Sequence, residues 1–281
     1  MNNFVQRTLS AVVYAGLVLS SILVAPACFG GHPLLFGVLM MIISTLAVRE
    51  FHTLVNSDIK TTTYAMMSNA LLFSTLYFLF YGDMIWRGLL VAYVAIMLLA
   101  LITHLFRPQV QPIQSWGNLC AGQLMIALPF ALMTGVLMHS KWLMLALFIL
   151  IWVNDSGAYI VGSLMAKRKG GNHKMFPRVS PAKSWEGLIG GFVFDLIAGY
   201  VFFRIGWTAD MGLINSLWFA LAVGVFGTLG DLMESLFKRT LGVKDSGKFM
   251  PGHGGILDRF DSLLLAVPVV YFFFIYLPTI I

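Results

Sequence analysis

Apolar residues run through this chain in long unbroken blocks, not in alternation. At ~1.5 Å rise per residue, about 20 apolar residues in a helix cross the ~30 Å hydrocarbon core of a bilayer. Nine blocks approach that length, at about 9–28, 33–48, 63–81, 88–106, 117–138, 142–164, 187–206, 213–232 and 263–281. Membrane β-strands would alternate apolar and polar positions, so continuous blocks favour helices. The pattern predicts an all-α integral membrane protein, a polytopic bundle of about nine transmembrane helices forming a single integral membrane domain over 1–281. Residues 1–140 are a series of N-terminal helices. Residues 141–281 hold nearly all the polar chemistry, with long polar loops at 166–186 and 238–261.

The first block follows Arg7 and resembles a secretory leader, and Ala25-Pro26-Ala27-Cys28 resembles a lipoprotein cleavage site. Eight further blocks follow and the first is long enough to span, so both readings are set aside. Composition agrees with the bilayer: of 281 residues, 59% are hydrophobic and 11% charged, against roughly 45–50% and 25% in soluble domains. The net charge of +6 reads as basic loops facing anionic headgroups and substrates, with no nucleic acid as partner. Cys28 and Cys120 each stand in an apolar run and read as small buried hydrophobes.

Orientation follows from the basic residues. With the N-terminus in the cytoplasm, fifteen of the eighteen Lys and Arg fall on the cytoplasmic side and only Arg87, Lys141 and Arg204 on the other. The positive-inside rule therefore predicts a multi-pass protein of the cytoplasmic (inner) membrane with both polar loops, and the active site, on the cytoplasmic face.

Acids at membrane depth cost roughly 2.5–3.5 kcal/mol on insertion scales, which singles out Asp155, Asp195 and Asp231. Asp195 stands alone; a snorkelling or pore-facing acid with a local partner such as Arg204 and a functional acid fit it equally. Asn154-Asp155-Ser156-Gly157 either serves interhelical hydrogen bonding or places a carboxylate beside an amide and a hydroxyl, which suits a cation or a sugar, and the second reading is favoured. Asp231, Glu234, Ser235 and Lys238 have i, i+3, i+4, i+7 spacing and share one helical face. Their oxygens suit Mg²⁺, while Lys238 and Arg239 suit phosphates. A plain helix end with a Glu234–Lys238 ion pair accounts for two of these residues but not for Asp231.

Lys244-Asp245-Ser246-Gly247 leads into Pro251-Gly252-His253-Gly254-Gly255-Ile256-Leu257-Asp258-Arg259-Phe260-Asp261. Glycines there let backbone N–H groups approach an anion. Asp258 and Asp261 start the last helix, three residues apart. A near-match to the P-loop at 242–249 fails, because Phe249 replaces Ser or Thr and no strand precedes it. In Ser180-Pro181-Ala182-Lys183-Ser184-Trp185-Glu186-Gly187, an interfacial anchor is the plain reading; the hydroxyls and Lys183 equally suit a phosphate at a helix N-terminus.

These motifs together resemble the phosphatidate cytidylyltransferases (CDP-diacylglycerol synthases). The likeness is densest from Ser235-Leu236-Phe237-Lys238-Arg239 to His253-Gly254-Gly255-Ile256-Leu257-Asp258-Arg259-Phe260-Asp261 and extends over about 150–265. Ser184 and Met250 depart slightly from the common pattern. The resemblance implies a nucleotidyltransferase that moves CMP from CTP to phosphatidic acid, with Mg²⁺ as cofactor, a second metal ion, and a homodimer in the lipid bilayer. Asp231 and Asp258 would be the metal-holding pair, with Glu234 as a further ligand, and Lys238 and Lys244 would join them in catalysis. Asn154, Asp155, Ser180, Lys183, Ser235, Arg239, Asp245, His253, Gly254, Gly255, Arg259 and Asp261 would meet the substrates. An ion or solute transporter would spread polar residues through the full membrane depth, whereas here they crowd at one face. A CTP-dependent lipid kinase would use similar metal chemistry, and the motif spacing argues against it.

Overall fold

A computed structural model of the chain describes residues 13, 15–23, 33–107, 111–168, 171–247 and 254–279. Among them, eight helices are long and apolar enough to cross a membrane. The described part of the first block, 15–23, is also helical. We number these α1 (15–23), α2 (Leu34–Leu54), α3 (Ile59–Tyr81), α4 (Ile85–Phe106), α5 (Pro112–His139), α6 (Lys141–Ala166), α7 (Trp185–Arg204), α8 (Gly212–Thr240) and α9 (Leu257–Tyr276). The described residues form two compact units. The first is drawn from 1–138 and 245–260, the second from 139–244 and 261–281.

In the first unit local chemistry sets the helix ends. Asp58 caps α3 by accepting the N–H groups of Lys60 and Thr61, and Gly82 closes it in the left-handed conformation, φ 79°. Pro112 opens α5, where its missing N–H costs nothing. The core gathers Phe36, Met40, Ala47 and Val48 of α2 with Ile126, Phe130 and Met133 of α5, all essentially inaccessible. Polar side chains join helices where no water is at hand. Asn69 donates to Thr45 Oγ1 at 2.8 Å, and Gln123 donates to the Ala65 carbonyl at 3.1 Å, in line with interhelical bonding in membranes. Asp58 pairs with Arg107, so the start of α3 and the end of α4 share one side of this unit.

The outer faces are apolar. Leu98, Leu99 and Ile102 of α4 are roughly half exposed, which suits lipid contact. Cys120 is exposed, against the expectation of burial: an outward helix position in a membrane protein can be as apolar as an inward one. Cys28 lies outside the described residues.

The second unit is held by small residues. Gly187, Gly191, Asp195 and Gly199 recur every fourth position along α7 and all are buried. Such a stripe lets helix backbones approach closely. A Cβ on Gly191 would lie 2.8 Å from the Asn154 amide, and one on Gly199 would lie 2.7 Å from the Ala220 side chain. Into this seam Asp195 inserts its carboxylate, which accepts from Asn154 Nδ2 at 2.6 Å. Asn154 Oδ1 in turn accepts from Thr228 Oγ1 at 3.4 Å. Asp195 thus joins the helix packing, and its partner is Asn154; Arg204 instead bonds Tyr200. The carboxylate meets an amide on the helix packed against its own face, not the residue nine positions along.

The polar stretch 166–186 is not all loop. It contains a hairpin, β1 (Lys174–Phe176) antiparallel to β2 (Ser180–Ser184), with Lys174 opposite Ser184 and Phe176 opposite Ser180. Ser184 then caps α7 by accepting from Gly187 N–H at 3.2 Å. Glu186 holds the hairpin base through the backbone and ring nitrogens of His173.

Candidate functional site

In the second unit α8 runs unbroken to Thr240, so the predicted polar face is two further turns of a membrane helix. Asp231 begins that face. One carboxylate oxygen pairs with Lys183 Nζ at 2.6 Å, and the other accepts from Ser235 Oγ at 3.2 Å. Glu234 pairs with Lys238 at 2.6 Å, both side chains nearly buried. Arg239 donates to the carbonyls of Val179 and Val243, which ties the hairpin to the end of α8. Asp155 and Asp261 lie within electrostatic reach of Asp231; Lys183 acts on Asp155 and Lys238 on Asp261. Three carboxylates and two ammonium groups from four elements thus form one charged cluster.

Beside it opens a cavity of about 350 Å³, lined by Asp155, Tyr159, Asn172, Lys174, Lys183 and Ser184 among others. Asn154 also reaches its wall, but its amide is committed to Asp195 and Thr228. Ser156 donates to the Trp152 carbonyl of its own helix. The combined amide, carboxylate and hydroxyl site expected at 154–156 therefore does not form. Successive residues on a helix diverge by about 100°, and only Asp155 of the three faces the charged cluster. Ser180 begins β2 and is half-buried.

The first unit holds Asp245, Gly254, Gly255, Asp258 and Arg259. Asp258 is in the first turn of α9, and its Oδ2 accepts from Ser246 N–H at 2.9 Å, Ser246 Oγ at 3.0 Å and Gly255 N–H at 2.8 Å. Gly254 has φ 83°, a conformation side chains disfavour, and a Cβ there would lie 2.6 Å from that same oxygen. Asp245 and Arg259 are exposed, as is Lys244 in the second unit. His253 lies outside the described residues. Sequence reasoning missed Glu50 of α2, whose carboxylate accepts from Ser246 Oγ and the N–H groups of Ile256 and Leu257. A lone Glu about two hundred positions away carries no local signal of that role.

Mg²⁺ takes hard oxygen donors, keeps several waters and is commonly held by one or two carboxylates with substrate phosphates. Asp231, Asp155 and Asp261 offer such donors. Among the described residues no three His, Cys, Asp or Glu side chains converge tightly enough to hold a metal by themselves. Glu234 is a charge partner of Lys238.

The model of the cytidylyltransferase family matches residues 5–277. Similar proteins include phosphatidate cytidylyltransferases of Haemophilus influenzae, 43% identical over 141 residues, and of Bacillus subtilis, 47% identical over 124. A third, from Staphylococcus haemolyticus, is 47% identical over 124 residues. These alignments span 44–49% of this chain and 44–47% of each relative's length. With the family match running over nearly its whole length, the chain belongs to the cytidylyltransferase family.

Proposed function

We propose that this protein is a phosphatidate cytidylyltransferase, which transfers CMP from CTP to phosphatidic acid and releases pyrophosphate. The observation that carries the proposal is the pairing of Asp231 with Lys183 beside the cavity of the second unit, in a chain of this family. A phosphate oxygen of phosphatidic acid attacks the α-phosphorus of CTP. The new P–O bond forms as the bond to the bridging α–β oxygen breaks, giving CDP-diacylglycerol. A phosphate monoester has a second pKa of about 6 and is mostly dianionic at neutral pH, so no general base is required. The obstacle is repulsion between two polyanions.

The residues present address that repulsion. Lys183, Lys238, Arg239, Lys244 and Arg259 supply cationic hydrogen-bond donors for phosphate oxygens. Asp231 holds Lys183 in place until a phosphate competes for it. The glycine-rich turn at 254–255 lets backbone come close to the nucleotide. Asp231 and Asp155, joined by Asp258 on motif resemblance, would hold Mg²⁺, which when bound neutralises the triphosphate and stabilises departing pyrophosphate. The basic asymmetry of the loops supports a cytoplasmic active site in a multi-pass membrane protein. A homodimer follows from family resemblance alone.

Purified protein in detergent, given labelled CTP and phosphatidic acid, should form CDP-diacylglycerol and pyrophosphate in equal amounts and stop when EDTA is added. Release of CDP instead would identify a lipid kinase. Full turnover after rigorous chelation would refute the metal-assisted reading.

A further inference from the structure

Glu50 is separated from the glycine-rich stretch by nearly two hundred residues, yet its carboxylate is the meeting point of that stretch within the first unit. It accepts from the backbone N–H of Ile256 at 3.0 Å and of Leu257 at 3.2 Å, and from the Ser246 hydroxyl. Asp258 takes the neighbouring donors, the N–H groups of Ser246 and Gly255. Two carboxylates from different helices thus divide four backbone donors, at 246 and 255–257, and the buried Ser246 hydroxyl lies between them, close to both. A hydroxyl has one proton, so it donates to one carboxylate at a time and links the two.

The fit is close. A Cβ on Gly255 would stand 2.0 Å from Glu50 Oε1 and 2.1 Å from Ser246 Oγ, and one on Gly247 would stand 2.6 Å from Glu50 Oε2. These glycines are required by the approach of Glu50 as much as by any ligand. The first N–H groups of a helix have no partner within it. At α9 a carboxylate from α2 supplies one, which sets where the helix starts and how Asp258 and Arg259 are presented.

We propose that Glu50 is a positioning residue for nucleotide binding: it seats Ser246 and residues 255–257 so that the Gly254–Gly255 turn, Asp258 and Arg259 are preorganised for the CTP phosphates. The inference rests on the cytidylyl-transfer reading above.

Wild type, Glu50→Ala, Glu50→Gln and Glu50→Asp would be purified and assayed for KM of each substrate, kcat, and amide hydrogen exchange. In Glu50→Ala, KM for CTP should rise at least tenfold with KM for phosphatidic acid unchanged, and exchange should quicken at 246 and 255–257 but not in α7. Glu50→Gln keeps one acceptor oxygen and should recover part of the loss; it also serves if the Ala variant fails to fold. An active Glu50→Ala with normal KM for CTP would overturn the proposal. So would equal losses for both substrates with faster exchange throughout the chain, which would mark a purely structural residue. An inactive wild type would refute the functional reading and the kinetic role with it, while exchange would still report whether Glu50 seats the turn.

Discussion

Replacing Asp231 with Asn keeps the side chain's shape and removes one negative charge from the centre of the cluster. In the resting protein that charge faces Lys183 Nζ at 2.6 Å. During transfer it would face the cations gathered around the triphosphate. Two unit charges about 4 Å apart at an effective dielectric of ~20 interact by about 4 kcal/mol. Each ~1.36 kcal/mol is tenfold in rate, so turnover should fall by about three orders of magnitude. The loss should appear in kcat at saturating CTP and Mg²⁺, because the charge acts on the transition state. Asp258→Asn should also lower turnover strongly, and the double variant should be little worse than either single one if both serve one catalytic unit. Asp195→Asn is the control: it keeps a hydrogen-bonding group opposite Asn154 and should stay within about tenfold, or ~1.4 kcal/mol. The assay is initial-rate CDP-diacylglycerol synthesis on variants matched for monodispersity and melting temperature. Near-normal turnover of Asp231→Asn at saturating Mg²⁺ would refute the assignment of Asp231 to the reaction.

Two further outcomes are expected. With Cys28 and Cys120 replaced by Ala, single cysteines at the exposed Lys174 and Lys244 should react with an impermeant thiol reagent only after the membrane is opened; ready labelling of intact cells would reverse the topology. Asp58 gives a pH test. Burial works to raise its pKa, but the hydrogen bonds from Thr61 and the pairing with Arg107 outweigh it and hold the carboxyl below its usual range. A depressed folded-state pKa contributes stability above the unfolded value, about 4, and loses it as pH falls through the folded value. Wild type should therefore melt higher than Asp58→Asn at pH 6, and the gap should close as pH drops below about 4; a constant gap would show that the charge contributes nothing.

Much of this protein is legible in one dimension. A bilayer demands about twenty apolar residues per crossing, so the spans stand out directly, and their helical state follows because a lone segment in lipid must satisfy its own backbone. The polar face at 231–239 was legible for a related reason: helical spacing ties residues three and four apart, and the Glu234–Lys238 and Asp231–Ser235 contacts obey it. What the sequence could not supply were partners on different helices. Asn154 meets Asp195 across 41 positions, and Glu50 meets Ser246 across 196. No periodicity encodes such separations. Asn154 looks like a ligand beside Asp155 until the glycine seam of α7 brings Asp195 against it, and Glu50 looks like an ordinary charge near a helix end until α9 begins beneath its carboxylate. Only packing in three dimensions decides which polar groups are spent holding helices together and which are left facing a cavity.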